Sequence, residues 1–227
     1  MKIAVLATGS NGNACYVETN KHKFLIDCGI SFKSLVGRMD QFGLSVSSID
    51  SLLLTHEHYD HVSGLKVLAK KIPLTIYTSQ GTYDGLNLET KSVLASQNVS
   101  IVKAEEVIGL EDCKITVLRL HHDSKEPIGF VFEEFDKKFV YITDTGFVDQ
   151  IYYPLISNAD GYVMESNYDV ELLWSSNRPF ILKQRIDGDH GHMSNETSAV
   201  LLSNIIGVNT KFVVRAHISH DCNYYHT

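Results

Sequence analysis

The chain has 227 residues, 44% of them hydrophobic and 21% charged, with a formal net charge of −7 and four cysteines. That length fits one domain, or two small ones at most, with enough apolar material for a sizeable core. The acidic balance argues against a generally basic nucleic-acid-binding surface, and there is no run of 18 apolar residues to cross a membrane.

The first segment, MKIAVLATGSNG, has too short an apolar stretch for a signal peptide. Cys15, Cys28, Cys113 and Cys222 show no CxxC spacing, so reduced thiols and a cytoplasmic protein are expected. In chain order, KIAVLA (2–7), ACYVET (14–19) and KFLID (23–27) read as three strands joined by tight turns. The first turn, TGSNGN (8–13), is rich in Gly and Asn, which tolerate positive φ. Apolar residues at 32, 35, 36, 39 and 42 predict an amphipathic helix over 31–43, with Ser31 as N-cap and Gly43 as its stop. SLLL (51–54) is a short buried strand running into THEHYDH (55–61), and 62–71 reads as a helix halted by Pro73. Strand-like runs follow at 74–77, 99–102, 114–120, 128–134, 138–143, 161–166 and 211–216. Ser194 and Thr197 open a capped helix over 194–207. Strands joined both by hairpins and by helices predict a single α/β domain over 1–227, a mixed sheet system with helices on its outer faces.

Eight of the eleven histidines lie at 56, 58, 61, 121, 122, 190, 192 and 217. His56 and His58, two apart at a strand end, share a face and can reach one metal ion. Asp60 and His61 then turn toward a neighbouring site before the helix begins. The bland alternative is a solvated loop in which Asp60 or His61 caps that helix.

THEHYDH resembles the first metal motif of the metallo-β-lactamase-fold hydrolases, which carry two metals on a four-layer αββα sandwich. The resemblance implies three further ligands late in the chain: a histidine, a bridging aspartate and a final histidine. The first is His121 or His122 in LRLHHDSKEPIGFVF (118–132), and the family pattern ahead of Gly129-Phe130 favours His122. The others are Asp144 in YITDTG (141–146) and His217 in VVRAHIS (213–219). The implied set is His56, His58 and His122 for one metal, Asp60, His61 and His217 for the other, and Asp144 between them. Imidazole and carboxylate ligands suit two divalent ions, Mn(II) or Zn(II), and do not choose between these.

From residue 4 to about 223 the chain is similar to the YycJ (also WalJ or VicX) branch of this fold. The matching stretches are ATGSNGN (7–13), THEHYDHVSGL (55–65), HDSKEPIGF (122–130), TDTGFV (143–148), ESNYDVELL (165–173), LKQRI (182–186), GHMSNE (191–196) and AHISHDCN (216–223). The branch implies a 5′-to-3′ DNA exonuclease that prefers manganese, encoded in many Gram-positive bacteria beside a cell-wall-regulating two-component system. A hydroxide bridging the two metals is then expected to attack phosphorus, held and oriented by Asp60 and Asp144. GHMSNE resembles the GH-S/T motif of tRNA 3′-processing nucleases, which gives His192 the role of assisting the leaving group. His190 has no motif partner.

Lys183 and Arg185 are candidate phosphate contacts, and Ser10 and Asn13 are candidate substrate contacts whose equal alternative is turn chemistry. Asn167 and Asp169 are expected to orient ligand histidines. The competing enzyme is a small-molecule hydrolase acting on a thioester, lactone or cyclic phosphodiester, which the acidic surface keeps open. A metal-dependent regulatory or scaffolding protein for a signalling system is the non-enzymatic alternative, disfavoured because a full ligand set plus His192 exceeds what a structural metal requires. Members of the branch usually continue through a further strand and helix. A chain ending ten residues after His217 is therefore expected to lack them. Strand polarity and oligomeric state are not fixed by the sequence.

Overall fold

Six strands from the first half of the chain make one sheet, and six from the second half make another. The computed structural model describes residues 1–224. The first sheet runs in sequence order: β1 (Lys2–Ala7), β2 (Ala14–Glu18), β3 (Lys23–Ile26), β4 (Ser51–Leu53), β5 (Thr75–Thr78) and β6 (Asn98–Ile101). The second holds β7 (Val107–Gly109), β8 (Lys114–Arg119), β9 (Ile128–Glu134), β10 (Lys137–Ile142), β11 (Gly161–Glu165) and β12 (Phe212–Ala216), adjacent in that order.

β1 to β3 pair antiparallel and β3 to β6 parallel, while β7 to β10 pair antiparallel and β10 to β12 parallel. Parallel neighbours need crossovers, and helices supply them. In the first half these are α1 (Phe32–Gln41), α2 (Tyr59–Val62), α3 (Leu65–Lys71), α4 (Gln80–Gly85) and α5 (Leu88–Leu94). In the second half they are α6 (Tyr153–Ile156), α7 (Val170–Ser175), α8 (Phe180–Ile186) and α9 (Asn195–Ile205).

The period-two alternation of each strand sorts its side chains into layers. Phe24, Ile26 and Leu53 face Ile115, Phe130, Phe132 and Tyr141 between the sheets, with the Phe24 and Phe132 rings edge to face at 5.5 Å. Leu25, Leu52 and Ile76 point the other way, against Leu35 and Met39 of α1 and Leu65 and Leu68 of α3. On the far side, Val131, Val140 and Tyr162 pack on Ile156 of α6 and on Leu201 and Ile205 of α9. The result is an αββα sandwich, as expected. Ser31 and Ser194 cap their helices by accepting from the Ser34 and Thr197 amides. All four cysteines are unpaired and buried, and desolvation pushes the Cys28 thiol up to about 12. Among the described residues no helix is long and apolar enough to cross a membrane.

The structure differs from the sequence reading most where elements are short. β7 has three residues and α2, α4, α6 and α7 have four to six, too few for a period to register. The helix predicted over 62–71 begins instead at Tyr59, inside the histidine motif, and breaks around Gly64. Asp60 and His61 therefore lie in the first helical turn, not ahead of it. Gly64 donates to the Cys28 carbonyl, and a Cβ there would come within 2.0 Å of the Ile30 carbonyl oxygen, so the backbone is pinned to the loop after β3.

Candidate metal centre

The ends of β3, β4, β8, β10, β11 and β12 converge at one edge of the sandwich, where the polar residues are buried. Asp27, Asp144 and His217 each follow a strand and each adopt positive φ, at 58°, 58° and 53°. Asp and His are among the side chains that best tolerate this left-handed turn, which swings them off the strand line.

The seven residues expected as metal ligands come together here. Ligand atoms of His56, His58 and His122 lie within 4.8 Å of one another, as do those of Asp60, His61 and His217. Asp144 stands between the two trios, with Oδ2 3.1 Å from His61 Nε2, and Oδ1 3.3 Å from His217 Nε2 and 3.9 Å from His122 Nε2. Of the two neighbouring histidines, it is His122 that joins the first trio. His121 turns away, stacked on Phe147 at 4.1 Å with Nε2 2.7 Å from Asp149.

The donor set fits divalent cations. His56 Nε2 and Asp144 Oδ2 are buried and make no hydrogen bond among the described residues. Leaving such atoms unsatisfied costs about 1–3 kcal/mol each, which an ion between them would relieve. The outward nitrogens are already engaged: His61 Nδ1 with Asp27 at 2.8 Å and His122 Nδ1 with the Gly191 carbonyl at 2.9 Å. With Nδ1 engaged outward, Nε2 is the atom each ring turns inward, where a bound cation would take the place of a proton.

Electrostatics give the same answer. Burial lowers the His56 imidazole well below its ordinary value, and the neighbouring His61 adds to that, so it stays neutral. Burial would lower His61 too, but the Asp144 and Asp27 carboxylates outweigh it and raise it to about 10. His217 is raised well above its ordinary value despite burial, by Asp144 first and then Asp60 and Glu165. Burial opposes ionisation of Asp144, yet His217 and His61 hold it well below the carboxylate range. The cluster draws positive charge onto its rings, a demand that bound cations satisfy.

Three residues here were not singled out from the sequence. Asp27 is fully buried, accepting from the Thr55 amide and hydroxyl as well as from His61. Glu165, also fully buried, accepts from the Thr145 amide at 2.7 Å and lies 2.7 Å from His192 Nδ1. Asp123 Oδ1 sits 3.3 Å from His122 Nε2, while its other oxygen pairs with Arg185. For Asp27 and Glu165 the available signal was an acid closing a buried apolar strand, the same signal that pointed to Asp144.

Of the secondary candidates, Ser10, His192 and Arg185 line the cleft above the cluster, together with Arg178. His192 stacks on His217 at 5.1 Å. Asn13 is fully buried beneath the cluster, 2.9 Å from His61 Nε2 and 3.3 Å from Asp60 Oδ2, so it supports these residues instead of meeting substrate. Asn167 Nδ2 lies 3.0 Å from His217 Nδ1. Two further expectations are corrected. Lys183 is buried away from the cleft, donating to the Trp174 carbonyl at 2.8 Å. Asp169 caps α7 through the Leu172 amide and contacts no histidine of the cluster.

The floor of the site is held by backbone. Asn13 donates to the Asp60 carbonyl and Gly29 to the Asn13 carbonyl, both at 2.8 Å. A Cβ on Gly29 would fall 1.6 Å from the Asp60 carbonyl oxygen. Gly29→Ala is expected to destabilise the chain by about 3 kcal/mol, read from the midpoint of equilibrium urea unfolding. A loss below about 1 kcal/mol would contradict this close approach.

The fold and its histidine-carboxylate cluster define a class, and the chain belongs to it: the β-lactamase superfamily domain family matches residues 22–218. Within that family it is 36% identical over 223 residues to the exodeoxyribonuclease WalJ of Streptococcus pneumoniae, covering 98% of this chain and 83% of that one. It is 35% identical to the exodeoxyribonuclease YycJ of Bacillus anthracis, covering 98% and 84%. The branch read from the motifs is the branch these relatives represent. Zn(2+)-bound PqqB of Methylobacterium extorquens shares the fold, with a TM-score of 0.72 at 17% identity over 96% of this chain and 89% of that one.

Proposed function

We propose that this chain is a metal-dependent nuclease that hydrolyses phosphodiester bonds of DNA, acting as a 5′-to-3′ exonuclease in the cytoplasm. The observation that carries this reading is the 36% identity to an exodeoxyribonuclease across 98% of the chain. His56, His58 and His122 would hold one divalent ion, Asp60, His61 and His217 a second, and Asp144 both, with Mn(II) or Zn(II) suited to such ligands. Bound there, the ions would supply Lewis acidity toward a phosphoryl oxygen and bring the pKa of a water from 15.7 toward about 7.

The chain's own residues supply the rest. Asp60 and Asp144 would supply the negative charge that holds the cations. His192 gives its Nδ1 to Glu165 at 2.7 Å, which leaves Nε2 to protonate the departing oxygen while the carboxylate stabilises the imidazolium. Ser10 and Arg185, on the cleft wall, meet phosphate oxygens, with Arg185 shared between phosphate and Asp123.

Purified protein with Mn(II) or Zn(II) is to be assayed on 5′-labelled duplex DNA, RNA and bis(p-nitrophenyl) phosphate. Degradation of DNA is the expected result. Hydrolysis of the small ester alone would replace this reading with a small-molecule hydrolase, and no turnover at all would leave a regulatory protein.

A further inference from the structure

Behind His122 lies a second cavity, about 610 Å³ in volume, that the catalytic cleft does not include. His122 lines both spaces, so they meet at this residue. The volume falls within the range of sites that take a nucleotide-sized ligand.

Its wall is unusual for a chain of net charge −7. Lys103, from the β6–β7 connection, and Arg119, at the end of β8, both line it and both are exposed. Neither the Lys103 ammonium nor the Arg119 guanidinium makes an ion pair among the described residues. A third cation, Lys125, reaches only the Asp84 carbonyl, at 3.4 Å. The two acids of the wall are engaged by neutral donors: Glu126 accepts from the Gly81 amide at 2.7 Å, and Glu105 accepts from the Tyr152 hydroxyl.

Three cations against two carboxylates, none of the three in an ion pair among the described residues, leave this concave wall with positive charge that a phosphodiester backbone would neutralise. We propose that this cavity is a nucleotide subsite, holding phosphates that flank the scissile one through Lys103, Arg119 and Lys125. The proposal rests on the nuclease reading above and deepens it. The subsite gives the strand a second hold on the protein, beside His122, so a substrate too short to reach it gains nothing from these cations.

The test compares the Mn(II) enzyme with its Lys103→Ala/Arg119→Ala double variant on labelled DNA and on bis(p-nitrophenyl) phosphate. The DNA KM is expected to rise about tenfold with kcat and ester hydrolysis within twofold of the parent. The slope of log kcat/KM against log salt should become shallower by about 1.4 to 1.8, two phosphates at roughly 0.7 to 0.9 each. Arg119→Lys alone, which keeps the charge, should retain most of the parent KM. An unchanged DNA KM overturns the subsite while leaving the nuclease reading intact. A fall in ester hydrolysis parallel to that in DNA cleavage also overturns it, because the residues would then act on the centre or the fold. A parent enzyme that hydrolyses the ester but never DNA removes the nuclease reading, and the subsite with it.

Discussion

Asp144→Ala is expected to reduce phosphodiester hydrolysis on the order of 10³-fold or more, about 4 kcal/mol of transition-state stabilisation, while the chain stays folded. Among the described residues no other carboxylate bridges the two histidine groups so closely: its oxygens approach His61, His217 and His122 at 3.1, 3.3 and 3.9 Å. Removing it takes away the negative charge that would hold two cations side by side among the five imidazoles, and leaves the repulsion between those cations unscreened. The fold does not depend on that carboxylate. The following residue is tied by its own amide to Glu165, and Gly146 donates to the His121 carbonyl. Alanine at φ 58° adds about 1–2 kcal/mol of backbone strain, so Asp144→Asn is the cleaner companion: asparagine tolerates the left-handed region and removes only the charge. His61→Ala belongs in the same series. Far-ultraviolet circular dichroism establishes folding and kcat/KM reports the loss. Near-normal turnover by a folded Asp144 or His61 variant would sink the ligand assignment.

How much of this was legible beforehand depended on the length over which a pattern repeats. Eleven of the twelve strands were readable because an apolar or β-branched run marks each in the sequence, SLLL for the three-residue β4 included, whereas in β7 the pair Val107-Ile108 is cut short by Gly109. The seven clustered residues were readable because a motif gathers four of them and the resemblance supplied the order of the other three. Lys183 and Arg185 were grouped as neighbours in sequence, yet two positions along α8 turn about 200°, so only one can face the cleft. Asp169 carried a legible alternative: an acid three residues ahead of Leu172, opening an apolar run, is an N-cap pattern. Asn13 lay in a Gly-rich loop whose contacts with Asp60 and His61 span more than 45 positions, a pairing no local pattern encodes. Asp27 was hidden for the same reason, being 34 residues from the histidine it holds.

That hidden residue carries the second large effect. Asp27→Asn is expected to lower metal affinity 10–100-fold although it changes one atom of a side chain that faces neither cleft nor solvent. The carboxylate accepts three ways: Oδ1 from the Thr55 amide at 2.9 Å, and Oδ2 from the Thr55 hydroxyl at 2.9 Å and from His61 Nδ1 at 2.8 Å. Asparagine has one acceptor oxygen and one donor amide, so it cannot replace both oxygens. If its amide faces His61, Nδ1 must accept, and the ring carries its proton on Nε2, the nitrogen directed at Asp144 and needed as a metal donor. If its amide faces Thr55 instead, a buried backbone N–H loses its partner, at about 1–3 kcal/mol of stability. The two orientations are separable by measurement. The first lowers affinity in a chelator competition with an unchanged urea midpoint, and ¹⁵N shifts of the His61 ring move the proton to Nε2. The second lowers the midpoint with affinity largely kept. Asp27→Ala leaves the Thr55 amide and hydroxyl and the His61 ring without this acceptor, so both losses are expected together, with about 3 kcal/mol of destabilisation. Parent-like affinity and parent-like stability in the asparagine variant would show that His61 holds its tautomer without help from β3, and the account of the centre's inward lone pairs would then be wrong.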